Sequence, residues 1–497
     1  MSGPVGAEDH VGIYVINVIG ATVRKLRDDA LGAAVSADGS RIAFHSHHKL
    51  MVMNADGERA HGIYSYAPED SLFDLEWSPE GQRIAYARVH QTGADPEVTL
   101  ENRDANGGTL VTVLKRSDIR SVVWLAGNRL IFVAYEPAPR QDDMNLWEAR
   151  VDARTGALRG EPRKLTDWSG FNFSWPSATS DGKHLAFVNE HDQGDIYVGE
   201  LGKNGTELKS PARLTLSEKN DWIGGWMPDG KSLLFYSARN GNFELYRQKI
   251  TDLSAETLNT SSEEKRSPQI SPDGNWIVYL SWPRLPNGAQ PASGRLMRLP
   301  VTGGPAELIF DVPGYATWGA PGDVARNLGD VPGFRCNSSK SGACVLVEGQ
   351  ELNKKLTFTP FDPVTGKKGK SIAAEVPDEP SWALSPDGSQ IAITWFDSHA
   401  ATIRIVPVAG GASHDISVKN VIQLVNLAWA ADGKSLFAIR SSARGSRLLH
   451  VDMNGNSQEI GKAVWDIFQV SASPDGKSLA YGAVNSNSNV WMIPNLP

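Results

Sequence analysis

Long apolar runs are missing from this chain of 497 residues, and no stretch is long enough to cross a bilayer as a helix. Helical amphipathicity is missing too: nowhere does an apolar stripe persist for three turns. Cysteine is scarce, with 2 in the chain and no zinc-finger spacing. Positive charge is in deficit. Lys and Arg number 49 against 57 Asp and Glu, a formal net charge of −8, which argues against a general nucleic-acid surface. Several catalytic signatures are also absent. There is no Gly-x-Ser-x-Gly elbow, no Gly-x-x-x-x-Gly-Lys phosphate loop and no His-Glu-x-x-His zinc motif. The opening stretch MSGPVGAEDHVG lacks the basic and apolar regions of a signal peptide. The chain therefore reads either as cytoplasmic or as a piece of something longer.

What the chain has in quantity is turns, with 48 Gly and 29 Pro. The stretch MPDGKSLLFYSARNGNFELYRQKI, from Met227 to Ile250, shows the design. Pro228-Asp229-Gly230 reads as a three-residue hairpin loop closed by a bulge. Pro presets φ, Asp caps with its carboxylate, and Gly accepts positive φ. Strands are expected on both sides, at Ile223–Trp226 and Ser232–Ser237, with a third after the Asn240-Gly241 turn. The same turn recurs as SADGSRIAF from Ser36, SPEGQRIAY from Ser78, SDGKHLAF from Ser180 and SPDGNWIVY from Ser271. It returns as SPDGSQIAI from Ser385, AADGKSLFAI from Ala430 and SPDGKSLAY from Ser473. Degenerate units at Trp124–Asn128 and Trp318–Val347 fill the gaps. The total is about ten units at a spacing of roughly 42–57 residues, the period of a β-propeller with four-stranded antiparallel blades.

One blade cannot bury both sheet faces, so the ring must close. Gly12 to Leu26 reads as the outer two strands of a blade that lacks inner ones. Val470 to Ile493 reads as inner strands. Joining them gives one large ring closed by strands from both termini, over a single domain of residues 1–497 with a disordered tail at 1–10. The alternative is two smaller propellers, split five and five or four and six.

Candidate site residues come from the segments just before inner strands, where a propeller places the rim of its channel. Trp168, Phe171, Trp222, Tyr315 and Trp382 could stack on a sugar or grip a peptide there, or instead wedge between blades. Asp221, Arg266 and Asp466 are the charged residues placed nearest. The histidines of FHSHHKL (His45, His47, His48) read as a solvated hairpin tip rather than half a metal site. Asp192 and Asp195 in HDQGD read as turn residues rather than a calcium loop. No metal, cofactor or catalytic residue is assigned. Cys336 and Cys344 bound the short polar loop CNSSKSGAC. They are either reduced thiols or, as favoured here, a disulfide adding about 2–3 kcal/mol, which points to an oxidising compartment, periplasmic or extracellular.

The Ser-Pro-Asp-Gly turns followed by IAF or LAY, and then by IYV or LYR, resemble the repeats of TolB-type propellers, relatives of the WD-type fold. The likeness runs along nearly the whole chain. The second half is similar to the C-terminal propeller regions of acidobacterial membrane proteins with a serine/threonine kinase or winged-helix domain at the N-terminus. MPDGKSLLFYSARNGNFELYRQ, SPQISPDGNWIVYLSWP, RLMRLPVTGGPAELI, FRCNSSKSGACVLVEG, LTFTPFDPVTGKKGK, LAWAADGKSLF and SNSNVWMIPNLP carry that likeness, in that order. It implies an extracytoplasmic sensing or interaction half and brings no catalytic residues with it. The reading is a non-enzymatic propeller that holds a protein, peptide, small molecule or glycan at the channel mouth, without nucleic acid and without membrane insertion. The alternatives are a polysaccharide-acting enzyme with a channel metal, and a structural subunit of a larger assembly.

Overall fold

In the computed structural model every described element is a strand. The description covers all residues except 1, 4–11, 18, 20–21, 68–69, 91–96, 138–142, 170–171, 180, 203–204, 284–292, 314–315, 318–329, 332, 338–341, 351–354, 377–379, 396–399, 442–444, 463–465 and 497. Most of the tail expected at residues 1–10 thus lies outside the described residues; Ser2–Gly3 pair with Gly12–Ile16. Among the described residues no helix is long and apolar enough to cross a membrane.

The recurring turn sets the hairpins. At Ser36 the backbone N–H donates to Arg41 O (2.9 Å), Gly39 N–H returns to Ser36 O (2.8 Å), and Gly39 sits at φ 71°. The Ser36 hydroxyl donates to Asp38 Oδ1 (2.6 Å) and accepts from Arg41 N–H (3.0 Å). Pairing of Ser36 with Arg41 makes this a four-residue loop on a type I turn, not the expected three-residue loop, because the residue after Gly stays unpaired. Ser271, Ser385 and Ser473 repeat the arrangement. In the third unit Thr179, not Ser180, takes the serine's place, donating to Asp181 Oδ1 at 2.6 Å. The degenerate unit at Trp124–Asn128 is a hairpin between Ile119–Leu125 and Arg129–Tyr135.

The chain divides into two compact units. Unit 1 comprises Met1–His191, Leu285–Ala289 and Asn487–Pro497; unit 2 comprises Asp192–Arg284 and Gln290–Ser486. Two long strands, His184–Gly202 and Ser478–Pro494, contribute residues to both. In unit 1, Gly12–Ile16 and Val23–Asp28 form a small sheet with Ser2–Gly3. Three four-stranded sheets follow, opening on Leu31–Val35, Asp70–Trp77 and Ile119–Leu125. Phe173–Ala178 then pairs with the start of His184–Gly202.

Among the described residues unit 2 holds five four-stranded sheets and the larger part of a sixth, five-stranded one. Blades I to V follow in chain order, opening on Asp221–Trp226, Glu264–Ile270, Gly333–Cys336, Pro380–Leu384 and Asn426–Trp429. Blade VI is composite: Asp466–Ala472 and the unit 2 part of Ser478–Pro494 join the unit 2 part of His184–Gly202 and then Glu207–Arg213. The first strands adjoin in sequence, and that of blade VI returns to that of blade I, so the six sheets close into a ring. The alternative of two smaller propellers therefore describes unit 2, and one ring through all ten units does not. The terminal closure is corrected as well. Gly12–Ile16 and Val23–Asp28 pair with each other, whereas the C-terminal strands pair with residues after His184, sealed by Leu201 N–H on Lys477 O (2.7 Å) and the stacked rings of Tyr197 and Tyr481 (5.4 Å).

Strand alternation builds the core of unit 2 between blades. On Ser232–Ser237, Leu233 and Phe235 pack with Ile196, Ile223 and Ala480 toward blade VI. Leu234 and Tyr236 face the other way, onto Ile277 and Tyr279 of blade II. Similar clusters fill the four remaining junctions. The tryptophan before the turn bridges backbones: Trp226 Nε1 donates to Ser471 O (3.2 Å) and Trp429 Nε1 to Ala383 O (3.3 Å).

Candidate functional site

The first strands of unit 2 line a central cavity of about 410 Å³. Three of them are bulged, at Gly224, at Ser267-Pro268 and at Phe468. A bulge re-aims the residues that follow it, here toward the channel. Carboxamides do most of the work on the wall. Gln469 Oε1 accepts from Ile223 N–H (2.9 Å), joining blade VI to blade I. Gln269 donates to Gly224 O (3.0 Å) and accepts from Cys336 N–H (3.1 Å), joining I to II and II to III. Asn426 donates to Ser381 Oγ (3.2 Å) and accepts from Val470 N–H (3.3 Å), joining IV to V and V to VI. Each bond satisfies a backbone or hydroxyl group that would otherwise be left bare on the wall.

Only the junction between blades III and IV has no such bridge among the described residues. Asn337 stands there, 4% exposed, on the cavity wall. A Cβ on Gly388 of blade IV would lie 2.6 Å from its Nδ2, yet neither Oδ1 nor Nδ2 has a hydrogen-bond partner. Two charged residues also line the cavity. The Asp273 carboxylate is held in its own turn by Ser271 and Asn275, which with the turn backbone keep its pKa below the usual carboxylate value against the effect of burial. Arg335 donates to Phe334 O (3.0 Å) and lies over the Trp382 ring, 5.6 Å away.

The described residues among those expected at the mouth do not line this cavity. Trp222 is wedged between blades, 4.6 Å from Phe468 and 6.3 Å from Tyr236, ring to ring. Trp382 is buried against Phe358 (5.2 Å) in the junction of blades III and IV. Trp168 belongs to the core of unit 1, beside Phe173 (5.4 Å) and Phe187 (6.0 Å). Phe171 and Tyr315 lie outside the described residues. Asp221 is fully buried and paired with Arg239 (2.7 Å), whose guanidinium lies over Phe235 and Tyr246. Arg266 covers the Phe243 ring at 4.7 Å. Asp466 is exposed, with Ser446 Oγ 3.5 Å away. None of the described six lines the cavity. Large rings at strand starts fill the gap between neighbouring sheets, because that is where apolar area can be buried.

Other expectations resolve in the same detail. Cys336 and Cys344 are joined by a disulfide across the first hairpin of blade III, with Cα atoms 4.0 Å apart. His45 is pushed down to about 4 by burial, and its ring meets Tyr66 edge-on. Asp195 is not in a turn. It lies inside His184–Gly202, 4% exposed, where burial pushes its carboxyl up to about 6 against the pull of Arg213 at 2.7 Å. Among the described residues no three His, Cys, Asp or Glu side chains are grouped to hold a metal ion. The signal for Gln469, Asn426 and Gln269 was present in the sequence. A carboxamide stands two or four residues before the first turn residue in each of those blades.

Comparison with known proteins agrees with this fold. Residues 151–284 match the TolB beta propeller domain. An uncharacterized protein of Agrobacterium fabrum is 27% identical over 165 residues, covering 33% of this chain and 54% of its own length. The Tol-Pal system protein TolB of Francisella tularensis is 28% identical over 148 residues, covering 29% of this chain and 32% of its own. The chain thus spans about half of the first relative's length and a third of the second's. Among solved structures, a TolB-type protein from Agrobacterium tumefaciens aligns with 61% of this chain and 89% of its own, at 17% identity and a TM-score of 0.27.

Proposed function

We propose that this chain is a non-enzymatic binding propeller, a sensor or interaction scaffold that holds a protein or peptide segment at the channel of unit 2. The observation that carries the reading is the wall of that channel. Five of its six junctions are tied by the side chains of Gln269, Asn426 and Gln469, which favours a preformed cavity. A preformed concave site pays little ordering entropy on binding. Its volume falls within the range of about 300–1,000 Å³ typical of ligand sites. The match to the TolB beta propeller domain supports the same class. The disulfide favours an oxidising, extracytoplasmic compartment, consistent with the sensing half of a signalling protein.

The test is site-specific photo-crosslinking. A benzoylphenylalanine at Ala431, on the cavity wall, is expected to trap a discrete partner in cells of the source organism. The same group at Glu307, on an outermost strand of blade II, is expected to trap none. Equal products from both positions, or none from Ala431, would count against the reading. Turnover of a polysaccharide by the purified chain would replace it with the enzyme alternative.

A further inference from the structure

We propose that the Cys336–Cys344 disulfide is a redox latch on the wall of the unit 2 channel. A small dithiol entering the channel opens it and loosens the sector of wall that blade III supplies. The latch stands apart from the binding reading above, since it concerns the wall and not its ligand.

The other five blades of unit 2 close their first hairpin with hydrogen bonds to an aspartate. Asp273, Asp387 and Asp475 each accept from a serine hydroxyl, on Ser271, Ser385 and Ser473. Asp229 and Asp432 accept from the N–H groups of Lys231 and Lys434, both at 2.9 Å. Blade III has no aspartate at that place, where residues 337–343 read NSSKSGA. The disulfide stands instead, joining directly opposite residues of Gly333–Cys336 and Cys344–Gln350.

Its two halves face different surroundings. Cys344 is buried in an apolar cluster with Val278 and Leu280 of blade II and Phe334. Cys336 is partly buried and lines the channel, so its sulfur is the half open to attack from the cavity of about 410 Å³. The Cys336 N–H is also the group that Gln269 of blade II holds, at 3.1 Å. The bridge between blades II and III therefore depends on where the latch keeps Cys336. Between blades III and IV no carboxamide bridge stands among the described residues, whereas the four remaining junctions keep theirs. Opening this one bond thus releases one sector of the wall.

The exchange balances. One thiolate of the dithiol attacks Cys336 Sγ, the S–S bond breaks, and Cys344 leaves as a thiolate that takes up a proton. The second thiolate of the reagent attacks the mixed disulfide, freeing the Cys336 thiol and closing the reagent into its own disulfide. The protein gains two electrons and two protons, and the dithiol loses them.

Hydrogen exchange of the full chain, before and after dithiothreitol, tests this by mass spectrometry, with circular dichroism to check that the chain stays folded. Both cysteines are expected to become open to alkylation in the folded chain. Amides of Gly333–Cys336 and Cys344–Gln350 are expected to exchange at least ~10-fold faster, while Ser232–Ser237 of blade I and Gln390–Trp395 of blade IV hold their rates. The Cys336→Ala, Cys344→Ala chain is expected to exchange like the reduced chain with or without dithiothreitol. Should that variant not fold, the oxidised and reduced forms of the natural chain decide alone. A disulfide that survives dithiothreitol in the folded chain, unchanged exchange in blade III after reduction, or equal acceleration in all six blades would overturn the proposal.

Discussion

Glu76 shows how much one residue can report. It stands after the bulge of Asp70–Trp77 in unit 1, and burial, reinforced by the charge of Asp74, pushes its carboxyl up to about 8. A folded-state pKa above the unfolded one means that the folded chain holds a proton the unfolded chain has released. Stability from this group is therefore complete below about pH 4.5 and lost as pH rises toward 8. Thermal melts at a series of pH values are expected to show a loss on the order of 1–3 kcal/mol across that window. Glu76→Gln is expected to flatten it, and an unchanged profile in that variant would assign the slope elsewhere. Buried Asp195, raised to about 6, acts with the same sign over a narrower range. Neither shift is visible in the sequence, where Glu76 is an ordinary acid and Asp195 reads as a turn residue. The same holds for Trp222 and Trp382. Their place near the start of a blade was legible, but not that both rings turn into the gap between blades, Trp222 onto Phe468 and Trp382 onto Phe358.

At the scale of elements the sequence was most informative where chemistry is local. Turn hydroxyl, carboxylate and glycine recur because they satisfy one another within five residues, and the strands flanking Met227 fall within two residues of expectation. What it hid was His184–Gly202, where an apparent turn at HDQGD is continuous strand. That stretch carries the chain from unit 1 residues to unit 2 residues within one strand, and no local signal distinguishes it from a hairpin tip. Close backbone approach between blades was likewise hidden. An added Cβ at Gly224 would lie 2.3 Å from Pro268 O, so Gly224→Ala must displace blade I from blade II. The expected cost is about 2 kcal/mol or more, read as a lower urea midpoint. The disulfide is the third element-scale device. Replacing Cys336 and Cys344 together by Ser is expected to cost about 2–3 kcal/mol, lowering the midpoint of non-reducing melts and leaving reducing melts unchanged.

For the whole molecule, repetition announced a propeller, since sheets buried on both faces must pack on neighbours. The number of rings did not follow from the repeat. Blade count is set by which strand closes on which, and closure here joins residues more than two hundred positions apart, as Gln469 does with Ile223. The central claim is that unit 2 is a closed ring of six blades around its channel, with blade VI seated beside blade I. In that ring the turn tips of the two blades touch: a Cβ on Gly230 would stand 2.9 Å from Asp475 Cγ. The most direct test is a Gly230→Cys, Asp475→Cys variant in a chain whose own cysteines are replaced by alanine, oxidised and mapped by mass spectrometry. The ring predicts an intramolecular disulfide between the two positions in the folded monomer. A folded monomer in which both thiols stay free would contradict it, because a single ring of ten units would hold those two turns several blades apart.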